Sequence, residues 1–293
     1  MSELAINTTV VYCQQDGTHT ICGNPISNIC MHSCAKPIQI LPLLARGINN
    51  KYDLTLDELA FMVSSHLGQD EHMAAFFSIL KKTGLNETDL ILPETSPCGR
   101  IAKKNWYAKN GELSKRYHPC SGNHLAIMLV QRELTGNVVG YERPDSKSQR
   151  EIRDTLSGVS KIDIKDILCK TDYCGIPAFI LPAYKISYIY HRLAILEESN
   201  ADIKTLIEAM HNSPSMVEGD GCISTVLNSY PDIIAKTGAN GLLAVSLLQQ
   251  KVGIAIKSDA GWETVVNCLV KCLDKLNQLP PALESELNKC FSV

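Results

Sequence analysis

The sequence predicts a mixed α/β fold of the α+β kind: one antiparallel sheet drawn from both ends of the chain, flanked by helices, with a helical lobe inserted between. Three observations predict it. Short β-rich runs separated by a turn signal stand near the N-terminus. Amphipathic helical patterns with start and stop signals fill the middle. Beyond residue 230 the apolar period shortens to that of strands, and one helical pattern follows.

Thr8–Cys13 and Thr18–Cys22 read as strands, and Gln15-Asp16-Gly17 between them makes a hairpin. Ile26–Met31 reads as a third strand or an extended lead-in. Helices dominate from Lys36, with Pro37 fitting a first turn, where a missing N–H costs little. Thr55-Leu56-Asp57-Glu58 is a capping box that opens a helix over Leu56–Val63. Asp70–Lys82 is amphipathic, with Met73, Phe76, Phe77 and Leu80 on its apolar face and Gly84 as its stop. On that pattern His72 is expected at the surface or an interface. Ser121–Leu134, closed by Gly136, is a further helix, and so are Ser146–Leu156 and Asp202–His211. Ile233–Ala235, Leu242–Leu248 and Val252–Ile256 read as strands, the last two joined by a Gln-Gln-Lys turn. Trp262–Leu276 is a helix with Val265, Val266, Leu269 and Leu273 inward. No repeat, low-complexity tract or linker interrupts the chain. Residues 1–293 are therefore expected to form a single two-lobed domain: a sheet lobe from about 1–35 plus 231–293, and a mainly helical lobe from about 36–230.

Composition narrows the function. The 293 residues are 45% hydrophobic and 20% charged, with a net charge of −3. No long basic run exists, so nucleic acid and anionic membrane are not expected partners. No apolar stretch reaches the roughly 18 residues of a membrane span, and the N-terminus lacks the pattern of a signal peptide. A cytoplasmic protein is expected, and its twelve cysteines then read as reduced thiols. No Cys-x-x-Cys pair is present, so neither a zinc ribbon nor a thioredoxin-like motif is indicated.

The chemistry-bearing stretch is Ser33-Cys34-Ala35-Lys36. Positions three apart share a helix face, so the lysine amine can reach the serine hydroxyl. A neutral amine there would take the hydroxyl proton and make Ser33 a nucleophile, provided that burial, a second cation or a helix dipole depresses the lysine. The spacing alone is cheap: Ser78-Ile79-Leu80-Lys81 repeats it inside an amphipathic helix. Order adds weight. Ser121-Gly122-Asn123 and Lys236-Thr237-Gly238 follow, and Ser-x-x-Lys, Ser-x-Asn and Lys-Thr-Gly in that order form the pattern of penicillin-recognising serine enzymes. Those enzymes work outside the membrane, which the missing export signal argues against. Cys120, flanked by His118 and His124, is an alternative thiolate nucleophile.

A wider set of motifs is more specific. His32–Gln39 (HSCAKPIQ), Ser64–Gln69 with Glu71-His72, Tyr117–His124 (YHPCSGNH), Asp172–Pro177 (DYCGIP), Lys236–Gly241 (KTGANG) and Gly253–Ala260 (GIAIKSDA) run in this order. Together they resemble the asparaginase II family, the rhizobial-type or class 3 L-asparaginases. The resemblance implies a serine β-lactamase-like fold, a homodimer, and hydrolysis of the L-asparagine side-chain amide by water to aspartate and ammonia. It implies two Ser–Lys tandems: Ser33 with Lys36, and Ser65 with Lys236. Ser33 would lead as nucleophile with Lys36 as its base, while Ser65 and Lys236 relay protons. Asp172 matches an acid of the family's site, and His32, His66 and Gly238 join it as substrate-binding candidates. The reaction requires no cofactor, but the resemblance implies a zinc ion held by two cysteines, matching Cys120 and Cys174, and by a lysine. At the lysine's position stands Asn123, with His118 and His124 as other nitrogen donors. His32 replaces the family's arginine before the serine. These departures keep two rival readings open: another serine acyl hydrolase of the same fold, such as a glutaminase or an esterase, and a non-catalytic relative that binds an amino acid or a metal.

Overall fold

A computed structural model describes residues 7–23 and 28–291. Eight strands are described: β1 (Thr8–Cys13), β2 (His19–Gly23), β3 (Ile29–Cys30), β4 (Leu168–Thr171), β5 (Pro177–Leu181), β6 (Ile233–Gly238), β7 (Leu242–Leu247) and β8 (Val252–Ser258). Five of them form an antiparallel sheet in the order β2-β1-β8-β7-β6, so the two ends of the chain do meet in one sheet. The first hairpin closes where the sequence places its turn: Gly17 takes φ +83°, and the Asp16 carboxylate accepts from the Thr18 N–H at 2.9 Å. Ile26 and Ser27 lie outside the described residues; of that expected strand, Ile29–Cys30 pairs with β5 in a second sheet ordered β3-β5-β4.

Alternation along the strands splits the core into two layers. Val10, Tyr12, Leu243, Val245, Ile254 and Ile256 face one side, against Val265, Val266, Leu269 and Leu273 of the helix Trp262–Lys275. Val11, Ile234, Leu242, Ala244 and Ala255 face the other side and join the larger core of the helical region. The helix Ala183–Leu196 lies on that inner face, so close to β8 that a Cβ on Gly253 would sit 1.9 Å from the Ser187 carbonyl oxygen. Only glycine permits this approach.

The capping box at Thr55 forms with both of its hydrogen bonds, and the helix ends at Met62. The helix Asp70–Thr83 stops on Gly84 at φ +70°. Its buried face differs from the expected one. His72, Ala75, Phe76, Ile79 and Thr83 turn inward, while Phe77 is half exposed. His72 is therefore a core residue. Its Nδ1 accepts from the Gln69 N–H at 3.2 Å, which leaves Nε2–H to donate to the Ser215 carbonyl at 3.1 Å. Both ring nitrogens are satisfied, so burying the ring costs little. Among the described residues no helix is long and apolar enough to cross a membrane.

Three backbone junctions assemble the site. The turn of 3-10 helix His32–Ala35 docks on β6, an edge strand, and the Cys34 thiol reaches the Lys236 carbonyl at 3.0 Å. Gly238 lies under this turn; a Cβ there would stand 3.0 Å from both the Cys34 sulfur and the Met31 oxygen. The extended stretch after Met62 is pinned from two sides: Ser65 N–H donates to the Val217 carbonyl at 2.9 Å and His66 N–H to the Pro119 carbonyl at 3.2 Å.

Candidate active site

At these junctions lies a cavity of about 370 Å³, walled by His32, Ser33, Ser65, Cys120, Asp172, Glu218 and Gly238, with Tyr173 and Trp262 also on its lining. Of the residues singled out by sequence, Ser33, Ser65, His32, Asp172, Gly238, Cys120 and Cys174 line it. Lys36 and Lys236 lie just beneath, 3% and 0% exposed. His66 is buried behind the wall. It accepts from the Gly68 N–H through Nδ1 at 3.1 Å and donates from Nε2 to the Ser121 hydroxyl at 2.9 Å. Desolvation holds its pKa well below the ordinary range, so it is neutral.

Both lysines converge on Ser65. The Lys236 amine stands 3.0 Å from its hydroxyl and the Lys36 amine 3.3 Å. Lys36 also donates to the Ser64 carbonyl and, at 3.3 Å, to the Cys120 sulfur. Three acceptors match the three protons of an ammonium. The Ser33 hydroxyl has no hydrogen-bond partner among the described residues. The three-residue spacing places Lys36 on the right face, but its four-carbon stem carries the amine past Ser33 to the strand-like stretch at Ser65.

Lys236 is held differently. Its amine donates to the Thr237 carbonyl at 2.9 Å and approaches the Thr237 hydroxyl at 3.4 Å. Burial lowers its pKa from 10.5 to about 8, helped by the nearby Lys36 charge and opposed by Glu218. About a tenth of such an amine is neutral at pH 7. The arrangement can therefore polarise one hydroxyl between a cation and a base.

At the mouth, His32 takes a left-handed backbone, φ +44°. Its Nδ1 meets the Asp172 carboxylate at 2.8 Å, and its ring stacks on Tyr173 with centroids 5.7 Å apart. The hydrogen bond to Asp172 raises the His32 pKa to about 9. A cationic imidazolium thus stands where the resemblance expects an arginine.

The third corner holds Cys120 and Cys174, hydrogen-bonded to one another. That bond, Lys36 and His118 pull the Cys120 thiol well below its usual range, and the same bond pushes Cys174 up. This set does not fit a zinc ion. The Lys36 ammonium occupies the Cys120 sulfur and His118 Nδ1 accepts from the Cys120 N–H at 3.1 Å, while His124, with Nδ1 on the Tyr141 hydroxyl at 2.9 Å, keeps Nε2 unpartnered among the described residues but gathers with no other donors there. Among the described residues no three His, Cys, Asp or Glu side chains gather as a metal site, and structural zinc takes four ligands, catalytic zinc three. Asn123 and His124 each leave a buried polar atom, Oδ1 and Nε2, without a partner among the described residues.

Sequence reasoning missed Glu218, Tyr173 and Trp262 as cavity residues. Glu218 follows a short helix at Pro214–Val217 and carries no motif. Trp262 opens a helix whose pattern pointed only to the core.

A sequence model of the L-asparaginase II family matches residues 1–293, the whole chain. No curated protein sequence matches it. Among solved structures, the native form of Mglu superposes with a TM-score of 0.52 at 12% identity, over 94% of this chain and 66% of that one. This chain thus spans just under two thirds of the Mglu chain. A mutant class C β-lactamase gives a TM-score of 0.49 at 14% identity, covering 92% of each chain. A probable glutaminase from Bacillus subtilis, complexed with 6-diazo-5-oxo-L-norleucine, gives 0.43 at 15%, over 94% of this chain and 86% of that one. At such identities the likeness speaks for the fold alone.

Proposed function

The chain belongs to the L-asparaginase II family and has the serine β-lactamase-like fold, and from that premise we propose that it hydrolyses the side-chain amide of L-asparagine through a lysine-activated serine. The observation that carries this reading is the bracketing of the Ser65 hydroxyl by Lys236 at 3.0 Å and Lys36 at 3.3 Å.

The neutral Lys236 amine accepts the Ser65 proton as the serine oxygen attacks the amide carbon. The Lys36 ammonium, donating to the same oxygen, eases the loss of its proton, and as the new bond forms the negative charge passes to the amide carbonyl oxygen. The tetrahedral intermediate collapses when Lys236 returns the proton to the amide nitrogen, and ammonia leaves. A water then repeats the sequence: Lys236 takes its proton, hydroxide attacks the acyl carbon, and Ser65 leaves with the proton from Lys236. Aspartate is released and the protonation states are restored. The substrate α-carboxylate has a cationic partner in His32, and its ammonium an anionic one in Asp172. No step is routed through a metal.

A second reading rests on the Ser33 hydroxyl, which lines the cavity and is bound to nothing among the described residues. In it Ser33 attacks and Ser65 passes the proton to Lys236. Ammonia release from L-asparagine and L-glutamine by the purified protein, beside Ser65→Ala and Ser33→Ala, tests both. Trapping the acyl-enzyme and locating the modified peptide then separates them. Label at Ser65 supports the first reading and label at Ser33 the second. Absence of turnover on either amide overturns the assignment as an asparaginase.

A further inference from the structure

We infer that Glu218 is the positioning residue that sets Lys236 against Ser65; this rests on the reading of Lys236 as the base. Glu218 is bonded to the segments that carry both partners, through different parts of itself. Its main-chain carbonyl accepts from the Leu67 N–H at 3.0 Å, next to the Val217 carbonyl that accepts from the Ser65 N–H at 2.9 Å, so it helps fix the stretch that carries the serine. Its side chain holds the strand that carries the lysine. Oε1 accepts from the Thr237 hydroxyl at 3.0 Å, and Thr237 supplies Lys236 with both its carbonyl at 2.9 Å and its hydroxyl at 3.4 Å. Oε2 accepts from the Ser224 N–H at 3.0 Å, and the Ser224 hydroxyl in turn accepts from the Thr237 N–H at 3.0 Å.

The backbone directs this carboxylate inward. Glu218 adopts φ −144°, ψ −60°, and Gly219 follows at φ +149°. A Cβ at Gly219 would lie 2.7 Å from the Leu67 side chain and from Gln69 Oε1, so only glycine lets the chain turn here.

The charged and titratable groups facing the Lys236 amine are the Glu218 carboxylate, the Lys36 ammonium, and the thiols of Cys34 and Cys120. Glu218 is the one carboxylate among them. It opposes the depression that burial and Lys36 impose, and keeps the amine available both to give and to take a proton.

The bland alternative is that Glu218 merely caps the helix Ile223–Asn228 through the Ser224 N–H. Such a role predicts lost stability and an unmoved pH profile. The test is the pH dependence of kcat/KM for L-asparagine in the full-length protein, Glu218→Gln and Thr237→Val, with Lys236→Met beside them. With the carboxylate charge gone, the limb of the profile belonging to Lys236 is expected to move to lower pH by about 0.5–1 unit. kcat falls about tenfold or more while KM stays near the parent value. Thr237→Val cuts the side-chain link but leaves Glu218 on Ser224, so it reports even where Glu218→Gln fails to fold, with a loss in kcat and a shift of the limb in the same direction. A limb that stays at the parent pH in the variants that fold overturns the inference, whatever happens to Tm. If Lys236→Met keeps its turnover, the base assignment and this inference fall together. If Lys236→Met is dead and the limb does not move, only this inference falls.

Discussion

Asn228 and Asn123 are both buried, yet they are held in opposite ways. Asn228 donates to the carbonyls of Ser224 at 2.7 Å and Ala235 at 2.8 Å, and accepts from the Ala235 N–H at 3.0 Å. Every hydrogen-bonding capacity that faces the protein is used, one residue away from Lys236. Asn123 makes one long contact, 3.5 Å to the Met62 carbonyl, and its Oδ1 has no partner among the described residues. Ser64 Oγ and His124 Nε2 nearby are orphaned too. Burying an unpaired polar atom costs about 1–3 kcal/mol, so a chain tolerates several only where something else holds them. Around the Lys236 base, Lys236, Thr237, Glu218, Ser224 and Asn228 form one closed hydrogen-bonded chain, whereas the thiol corner keeps polar side chains without partners among the described residues. Asn123 stands at the position where the resemblance places a lysine. The difference teaches that Lys236 sits in a hydrogen-bonded setting while the surroundings of Asn123 leave polar atoms without partners among the described residues.

The largest expected effect comes from breaking the closed corner. Lys236→Met, which keeps the stem and removes the amine, should lower kcat by about 10²–10⁴, the range for loss of a general base. Cys174→Ala, in the other corner, should leave kcat near the parent value, measured as ammonia release. A comparable loss in both would erase the distinction between the corners.

Stability gives the next contrast. Asn228→Leu strands three buried backbone groups and should cost about 3 kcal/mol or more. In a chain of this size that is a fall in Tm of about 6–12 °C by calorimetry. Asn123→Leu removes an atom that is already unpaired and should change stability by less than about 1 kcal/mol. Equal losses at the two positions would mean that Asn123 Oδ1 has a partner after all.

These contrasts also show what the sequence can carry. Local signals were legible because their partners lie a few residues apart: the Asp16-Gly17 turn, the Thr55 capping box, the Gly84 stop and the strand pair after residue 240. The sheet was legible because its strands alternate or run apolar between turn residues. The helix Ala183–Leu196 was not. Its segment, Tyr-Lys-Ile-Ser-Tyr-Ile-Tyr-His, is aromatic and β-branched, and only packing over Gly253 decides it. At the candidate site, identity was legible and geometry was not. Spacing placed Lys36 on the face of Ser33, but where an amine ends up depends on a flexible stem and on acceptors far along the chain. Glu218 was invisible for the same reason: its bonds run to Leu67 and Thr237, and no motif surrounds it. His72 was misread because burial of a histidine depends on whether distant carbonyls, here that of Ser215, meet its ring.

The mouth of the cavity offers a smaller effect with a defined pH window. The Asp172 contact raises His32 from its ordinary 6.5 to about 9 in the folded protein. The contribution of such a pair is fully present below pH 6.5 and disappears as pH rises through 9. Asp172→Asn removes the charge but keeps an acceptor for the Tyr173 N–H, now 2.8 Å from Asp172 Oδ1. It should lower stability by about 1 kcal/mol at pH 6 and leave it unchanged at pH 10. A difference that persists at pH 10 would place the role of Asp172 in its hydrogen bonds rather than in its charge.

The smallest expected effect is the response to metal, and it bears on the comparison most directly. A ligand that binds only the folded state at 100 times its Kd adds about 2.7 kcal/mol of stability, a rise of about 5–10 °C in Tm here. If the thiol corner binds zinc, protein stripped with a chelator and then given zinc must show such a rise. The donor set argues against this. The Lys36 ammonium already holds the Cys120 sulfur at 3.3 Å, a dication there would meet that charge, and the remaining contacts supply no third ligand. Stripping and refilling should therefore move neither Tm nor kcat. A zinc-dependent rise in Tm with unchanged kcat would restore the metal to the thiol corner as a structural group and leave the lysine corner as argued. A rise in both would mean that Lys36 gives up the sulfur to the ion, and that the two corners work as one site.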